Sequence, residues 1–271
     1  MDRRAFLNAS LAAGGGLLYS SSPAAGDQGT MQTGPGVREY YEWRRYLLRT
    51  GPMVARMHEY LEHVSLPALN RAGVKPVGVF TPQFGSEGPS ICLLLTYPSL
   101  ADFAALESRL AADETYQKDA ASHRDLPATD PAYVRIDSQL MAAFEGLPHI
   151  EVPAAAASGK PRVFELRTYE SHSKKASRKK LEMFGKGGEL AIFRRTGLTP
   201  VFFGENLIGR RLPSFTYMLV YDDLAAREAN WATFIGDPEW EKLRTTPGYE
   251  DAKIVSNITA LILRPTRYSQ I

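Results

Sequence analysis

Two short segments of the chain alternate acidic, basic and phenolic side chains in a pattern suited to ligand binding or proton transfer. Alternate residues of a β-strand share one face of the strand, so each segment would present these groups together. The residues are Glu42, Arg44 and Tyr46 in the first segment and Glu165, Arg167 and Tyr169 in the second. An arginine could hold an anionic group, while a glutamate or a tyrosine could carry a proton.

One hypothesis is that these two sets, the second joined by Arg227 from a later helix, orient a small polar ligand inside a barrel. The alternative is structural, because a buried charge needs a partner whatever its function. In that case the same residues form a polar network that holds two sheets together. Since both segments carry the set, the pattern favours the structural interpretation and identifies no catalytic residue.

The five histidines do not indicate a metal centre or a haem site. His58 and His63 lie five positions apart in a predicted helix, which places their rings on opposite flanks. His123 and His149 have no convincing pocket around them in the sequence. His172 follows the second polar segment directly, so we include it among the candidate ligand-binding residues. We expect neither a metal nor another cofactor.

An internal repeat organises the chain. Residues 41–46 match residues 164–169 at an offset of about 123 positions, and further matches downstream keep this offset to within about one residue. The segments 70–77 and 194–201 share an Arg-x-Gly-x-x-Pro-Val pattern, and Asp113 falls on Asp237. A nearly constant offset through several segments indicates a duplicated unit.

Each copy is predicted to run strand, helix, strand, strand, helix, strand, which is the order of the ferredoxin-like unit. The first helix is expected to begin near Pro52 and to kink before Pro67. Gly73 and Gly197 are expected to end the first helix of each copy in a left-handed conformation. We predict an α+β fold in which the tandem ferredoxin-like (β-α-β-β-α-β) repeats pack their sheets face to face as one barrel.

The second copy resembles the NIPSNAP family in residues 164–170, 193–197, 221–227 and 237–240, and the first copy resembles it more weakly. The resemblance implies a fold of the dimeric α+β-barrel superfamily, and most family members have no assigned reaction. We therefore predict a small-molecule-binding or assembly protein. The alternative is a cofactor-independent enzyme resembling an oxygenase or an isomerase.

The first copy departs from the family pattern at two positions. Phe103 stands where the second copy has Arg227, and Tyr116 stands where it has Trp240. If only one copy keeps a functional site, these departures favour the second copy.

The N-terminal segment reads as an export signal. Residues 1–25 resemble a twin-arginine signal peptide, because Arg3 and Arg4 precede a weakly apolar run and a stretch of small residues. We predict a flexible tether at 26–36, the first repeat at 37–146, a linker at 147–161 and the second repeat at 162–271. This organisation predicts a periplasmic or otherwise extracytoplasmic protein.

Charge and cysteine content argue against several functions. With 32 basic and 30 acidic side chains the net charge is +2, which provides no broad field for nucleic acid. The basic run from Lys174 to Lys180 is predicted to be a solvated helix face. The signal's apolar run is too short for stable membrane insertion, and a single cysteine allows no intramolecular disulfide. The expected partners are a small molecule or a protein, together with further copies of this chain.

Overall fold

Eight antiparallel strands form a closed barrel in residues 38–84 and 88–271, the part of the chain that the computed structural model describes. The strands are β1 (Tyr40–Leu47), β2 (Val77–Pro82), β3 (Ser90–Tyr97), β4 (Arg135–Ala143), β5 (Val163–Glu170), β6 (Thr199–Ile208), β7 (Ser214–Tyr221) and β8 (Asn257–Pro265). Around the barrel they follow the order β1, β3, β2, β8, β5, β7, β6, β4. The predicted signal peptide and tether lie outside the described residues.

Helices connect the strands on the outside of the barrel. They are α1 (Pro52–Tyr60), α2 (Leu66–Arg71), α3 (Leu100–Ala112), α4 (Glu114–Arg124), α5 (Ala154–Ser158), α6 (Lys174–Phe184), α7 (Glu189–Arg195), α8 (Leu224–Ile235), α9 (Pro238–Arg244) and α10 (Asp251–Ile254). A π-helical turn, Leu61–Ser65, joins α1 to α2. The irregularity expected before Pro67 therefore takes the form of a π-helical turn, a feature often found beside functional sites.

Each repeat supplies one four-stranded sheet with the same strand order. In the first repeat β1 pairs with β3 and β4, and β3 pairs with β2. In the second repeat β5 pairs with β7 and β8, and β7 pairs with β6. The pairs β2–β8 and β4–β6 then join the two sheets. The predicted α+β barrel of tandem ferredoxin-like repeats is confirmed.

Buried side chains divide into an interior core and two cores between the sheet and the helices. The interior core includes Phe80, Phe164, Phe202 and Met218. Strands β3 and β7 are buried along their whole length, because one face meets the interior and the other meets helices. Ile271 is also fully buried in the interior core.

Local conformations follow the sequence closely. Gly73 and Gly197 have φ angles of 87° and 85°, the expected left-handed conformation, and they follow α2 and α7, the second helical segment of each repeat. Pro52 is the first residue of α1. Asp237 caps α9, and its carboxylate accepts hydrogen bonds from the amides of Glu239 and Trp240.

Candidate functional site

The polar side chains that we predicted to face the barrel interior face the helices instead. Along β5, Phe164 and Leu166 lie in the interior core, whereas Glu165, Arg167 and Tyr169 contact the helix layer. In β1 the corresponding outward residues are Glu42, Arg44 and Tyr46. The prediction of a site inside the barrel was wrong for these residues. Both faces of each strand carry aromatic side chains, so alternation alone does not identify the interior face.

Glu165 is the centre of a saturated network in the second repeat. Its carboxylate is fully buried and accepts hydrogen bonds from Arg167, Arg227, Trp231 and Tyr221 at 2.6–3.1 Å. Burial alone would raise the pKa of Glu165, but the hydrogen bond from Arg227 and the charge of Arg167 hold it below its usual value. The carboxylate has no remaining capacity for a ligand or for a catalytic proton.

The side chain of Arg167 is 16% exposed, and its Nε has no hydrogen-bond partner among the described residues. Its guanidinium carbon lies 4.6 Å from the ring centroid of Trp231 and 5.6 Å from that of Tyr169, both at cation–π distance. Burial opposes its charge, but Tyr217, Tyr169 and Glu165 outweigh that effect and raise its pKa. The phenol of Tyr217 donates a hydrogen bond to that of Tyr169 at 3.1 Å. The set Glu165, Arg167, Tyr169 and Arg227 therefore acts as a structural network between β5 and α8.

Aromatic rings fill the remaining space beneath the helices of the second repeat. These rings pack mostly edge to face or tilted at centroid distances of 4.5–6.2 Å. They belong to Phe184, Phe193, Phe203, Phe215, Phe234 and Trp240. Although the family resemblance favoured this copy as the functional one, its helix–sheet space is occupied by the protein itself.

Lys180 departs from the prediction of a solvated basic face. It is 1% exposed, and its ammonium lies 3.1 Å from Glu189 and 3.3 Å from Asp251. The rings of Tyr169 and Phe184 also surround it. Burial raises the pKa of Glu189 to about 7, with Lys180 opposing that change. The helix predicted for the basic run is present as α6, but a run of like charges does not show that Lys180 points inward.

The first repeat keeps the buried carboxylate with a different set of donors. Glu42 accepts hydrogen bonds from Arg44 at 2.8 and 2.9 Å, from Tyr97 at 3.0 Å and from Ser138 at 2.8 Å. Phe103, which takes the place of Arg227, packs edge-on against Tyr97 at 5.4 Å. The helix layer of this repeat is thus held to the sheet by fewer charged contacts.

A cavity of about 440 Å³ lies between the sheet and the helices of the first repeat. We call it the N-terminal cavity; the polar and aromatic residues that line it include Arg44, Tyr46, Tyr60, Glu107, Tyr116 and His123. It exists because the repeat offset pairs Glu107 with Trp231 and Leu69 with Phe193. In the second repeat Trp231 covers Arg167, and Phe193 packs edge to face against Trp231. The smaller side chains of the first repeat leave this space unfilled.

His123 is the most unusual group in the N-terminal cavity. Its ring stacks on Tyr60 at a centroid distance of 3.8 Å, and it is 8% exposed. Neither ring nitrogen has a hydrogen-bond partner among the described residues. Burial and the charge of Arg56 lower its pKa to about 4, so the imidazole is neutral at physiological pH. A neutral imidazole offers one donor and one acceptor, and neither is used by a partner among the described residues.

From the sequence we retained His172 and set His123 aside, and the structure places His123 at a cavity. His172 is exposed and lines none of the cavities described here. Leu126, Pro131, Tyr133 and Ile136 line the same cavity as His123, and no spacing rule reveals that placement. A usable signal was nevertheless present in the repeat offset, which pairs Glu107 with Trp231 and Leu69 with Phe193.

Two further features concern the described residues only. No group of three or more potential metal-ligating side chains occurs among them, and none of their helices is long and apolar enough to cross a membrane. Cys92 is buried in the interior core, and burial raises its pKa to about 12.

Two ferredoxin-like sheets closed as one barrel with outer helices define the class of α+β-barrel proteins. Solved structures share this fold over most of the chain. A proposed monooxygenase from Lactobacillus acidophilus is 7% identical with a TM-score of 0.55, and the match covers 84% of this chain and 94% of that one. An anthrone oxidase-like protein is 15% identical with a TM-score of 0.51, covering 86% of this chain and 93% of that one. At these identities the likeness shows the fold alone.

Within this class the chain belongs to the NIPSNAP family, whose sequence profile matches residues 41–143 and 164–270. The two matches confirm the internal repeat and the resemblance found in the sequence. A NIPSNAP family protein of unknown function from Agrobacterium tumefaciens is 21% identical, with a TM-score of 0.36, and the match covers 41% of this chain and 93% of that one. No curated protein sequence matches the chain. The family has no assigned reaction.

Proposed function

We propose that this NIPSNAP protein binds a small molecule in the N-terminal cavity. The observation that carries the proposal is the contrast between the two repeats. The second repeat fills its helix–sheet space with aromatic rings, whereas the first leaves about 440 Å³ beside a buried histidine without hydrogen-bond partners. Unpartnered buried polar atoms are costly, so a ligand that supplies the missing hydrogen bonds would bind favourably.

The lining of the N-terminal cavity defines the chemistry of its ligand. Tyr60 and Tyr116 provide aromatic walls, and their hydroxyl groups hydrogen-bond to each other at 2.9 Å. Arg44 supplies a cation that is fixed by Glu42 and is 19% exposed. His123 supplies one neutral donor and one neutral acceptor. These groups suit an aromatic or otherwise planar molecule that carries a hydroxyl or an anionic group.

A second proposal is an oxygenase-like or isomerase-like enzyme, and one observation favours it. His123 lies in the N-terminal cavity with both ring nitrogens unpartnered among the described residues, although burial lowers its pKa to about 4 and makes the neutral imidazole a weak base. The polar set of β5 cannot provide the catalytic base, because the carboxylate of Glu165 already accepts hydrogen bonds from four residues. The fold shared with a proposed monooxygenase and an anthrone oxidase-like protein is compatible with this proposal. Turnover of a bound phenol, abolished by His123→Gln, would separate an enzyme from a binding protein.

Binding of anilinonaphthalene sulfonate, an anionic aromatic probe, tests the ligand site. The Glu107→Trp variant copies the second repeat and should cover the N-terminal cavity, so we expect it to abolish binding of the probe. Trp231→Phe changes the matched position in the second repeat and should leave binding intact. Native mass spectrometry of protein purified from its own host would show whether a molecule is lost from Glu107→Trp. Equal probe binding by wild type and Glu107→Trp would refute the proposal.

We also propose that the protein is exported by its twin-arginine signal and forms a homo-oligomer. The Arg3–Arg4 pair and the following residues support export. Replacing both arginines with lysine should retain the protein in the cytoplasm, and cell fractionation measures this directly. Sedimentation analysis of the mature chain reports the oligomeric state. We further propose that the protein binds a partner protein.

A further inference from the structure

The barrel interior is packed at one end and open at the other. Ile271 and Phe164 belong to the packed part. Where β1 ends and β4 begins, the interior opens into a cavity of about 390 Å³. We call this cavity the barrel mouth; it is lined by the interior-facing side chains Trp43, Arg45, Asp137, Gln139, Leu166 and Leu261, among others. It lies on the opposite face of β1 from the N-terminal cavity, since Arg44 and Arg45 point to opposite sides.

Guanidinium groups outnumber carboxylates among the described residues that line the barrel mouth. Arg45, Arg210 and Arg211 line it, and Asp137 is the only acidic residue in that lining. Arg45 bonds to Asp137, and Arg210 lies 3.8 Å from the same carboxylate. Arg211 donates to the neutral hydroxyl of Thr259 at 2.7 Å and lies 3.8 Å from Glu170. Three guanidinium groups thus face two carboxylates. The excess positive charge lies at the outer rim, with Arg210 and Arg211.

The wall and the floor of the barrel mouth have different chemistry. Trp43, Leu166 and Leu261 form an apolar wall below the arginines. At the floor, Gln139 donates hydrogen bonds to Asn206 at 2.8 Å and to Thr216 at 3.0 Å. This amide is satisfied within the protein, so the floor does not require a polar group from a ligand.

We propose that the barrel mouth binds a carboxylate-bearing apolar molecule of medium chain length. Its carboxylate would contact Arg210 and Arg211 at the rim, and its apolar chain would lie against Trp43 and Leu261. A guanidinium pairs well with a carboxylate, and the apolar wall gains from the removal of water. The site is independent of the proposed function, because it uses different residues on the other face of the sheet.

Titration calorimetry with decanoate, at concentrations where it is monomeric, tests the proposal. We expect the double variant Arg210→Gln/Arg211→Gln to weaken decanoate binding by about tenfold or more. Both side chains are at least half exposed, so the variant should fold normally. The control Arg178→Gln/Arg244→Gln removes two exposed arginines elsewhere and should bind like wild type. Leu261→Trp fills the wall and should also abolish binding.

Three outcomes would overturn the proposal. Decyltrimethylammonium binding as tightly as decanoate would show that the arginines do not select the ligand. Unchanged binding of decanoate by Arg210→Gln/Arg211→Gln would also show that these arginines do not select the ligand. If Glu107→Trp lost decanoate binding while the barrel-mouth variants kept it, the N-terminal cavity would be the decanoate site. Since anilinonaphthalene sulfonate reports on that cavity separately, failure of one proposal is distinguishable from failure of the other.

Discussion

Arg227 holds the carboxylate of Glu165 with two hydrogen bonds, from Nε at 2.9 Å and from Nη2 at 2.6 Å. This bidentate contact joins α8 to β5 across the helix–sheet boundary. In the first repeat Phe103 stands at the matched position, and among the described residues Glu42 forms an ion pair with Arg44 alone. The equivalent buried carboxylates therefore pair with different numbers of guanidinium groups. Glu165 pairs with two and Glu42 with one.

The first prediction follows from this difference. Replacing Glu165 with Gln leaves Arg167 and Arg227 without a counter-charge, so we expect the free energy of unfolding to fall by about 3–5 kcal/mol. Glu42→Gln leaves one guanidinium unpaired and should cost less. Guanidinium chloride denaturation measures both. As a control, Glu151→Gln breaks the exposed pair with Arg194 and should cost less than about 1 kcal/mol. Equal losses for Glu165→Gln and Glu151→Gln would contradict the buried network.

The second prediction uses two equivalent arginines to distinguish a residue that only stabilises the fold from one that also contacts the ligand. Arg167→Leu should lower stability and leave the affinity for anilinonaphthalene sulfonate unchanged, because Arg167 lies under Trp231 and lines none of the described cavities. Arg44→Leu should lower both, because Arg44 lines the N-terminal cavity. Denaturation and probe titration on each variant give the comparison. If Arg167→Leu alone reduced probe binding, the ligand site would belong to the second repeat.

Much of the fold follows from sequence because its determinants are local and duplicated. The repeat offset predicts the duplication. The glycines at 73 and 197 predict helix ends, and the continuous apolar runs of β3 and β7 predict buried strands. Those apolar runs require burial on both faces, which two sheets closed as a barrel with outer helices provide.

The site was predicted less well, because cavities depend on differences in side-chain volume across tertiary contacts. Alternation grouped Glu165 with Arg167 correctly, but it could not show that Trp231 would cover them. Likewise, no local pattern places His123 against Tyr60, since the contact depends on how α4 packs on α1 and the π-helical turn. Residue substitutions between the repeats, such as Glu107 for Trp231, carry the information that single-segment patterns lack.

The third prediction compares the two left-handed glycines. A Cβ atom on Gly197 would lie 2.9–3.0 Å from the side chain of Asn230, which donates a hydrogen bond to the carbonyl of Gly197. On Gly73 the nearest atom would be Arg109 Nη1 at 3.8 Å. Both alanine variants bear the cost of a positive φ, about 1–2 kcal/mol. Gly197→Ala should lose more than Gly73→Ala in thermal or chemical denaturation, and the reverse order would exclude the Asn230 contact as the cause.

The last prediction concerns the pH dependence of stability. Because the pKa of His123 is lowered to about 4 in the folded protein, the unfolded chain, with a pKa near about 6.5, binds more protons between these values. The free energy of unfolding contributed by this residue therefore falls as the pH drops from about 6.5 to about 4, by about 1–3 kcal/mol. His123→Phe keeps the stacking on Tyr60 but cannot titrate, so its stability should fall less over that range. His172→Phe, at an exposed position, should follow the wild-type curve. Urea denaturation at a series of pH values measures all three proteins, and parallel curves for wild type and His123→Phe would show that His123 is not buried in its neutral form.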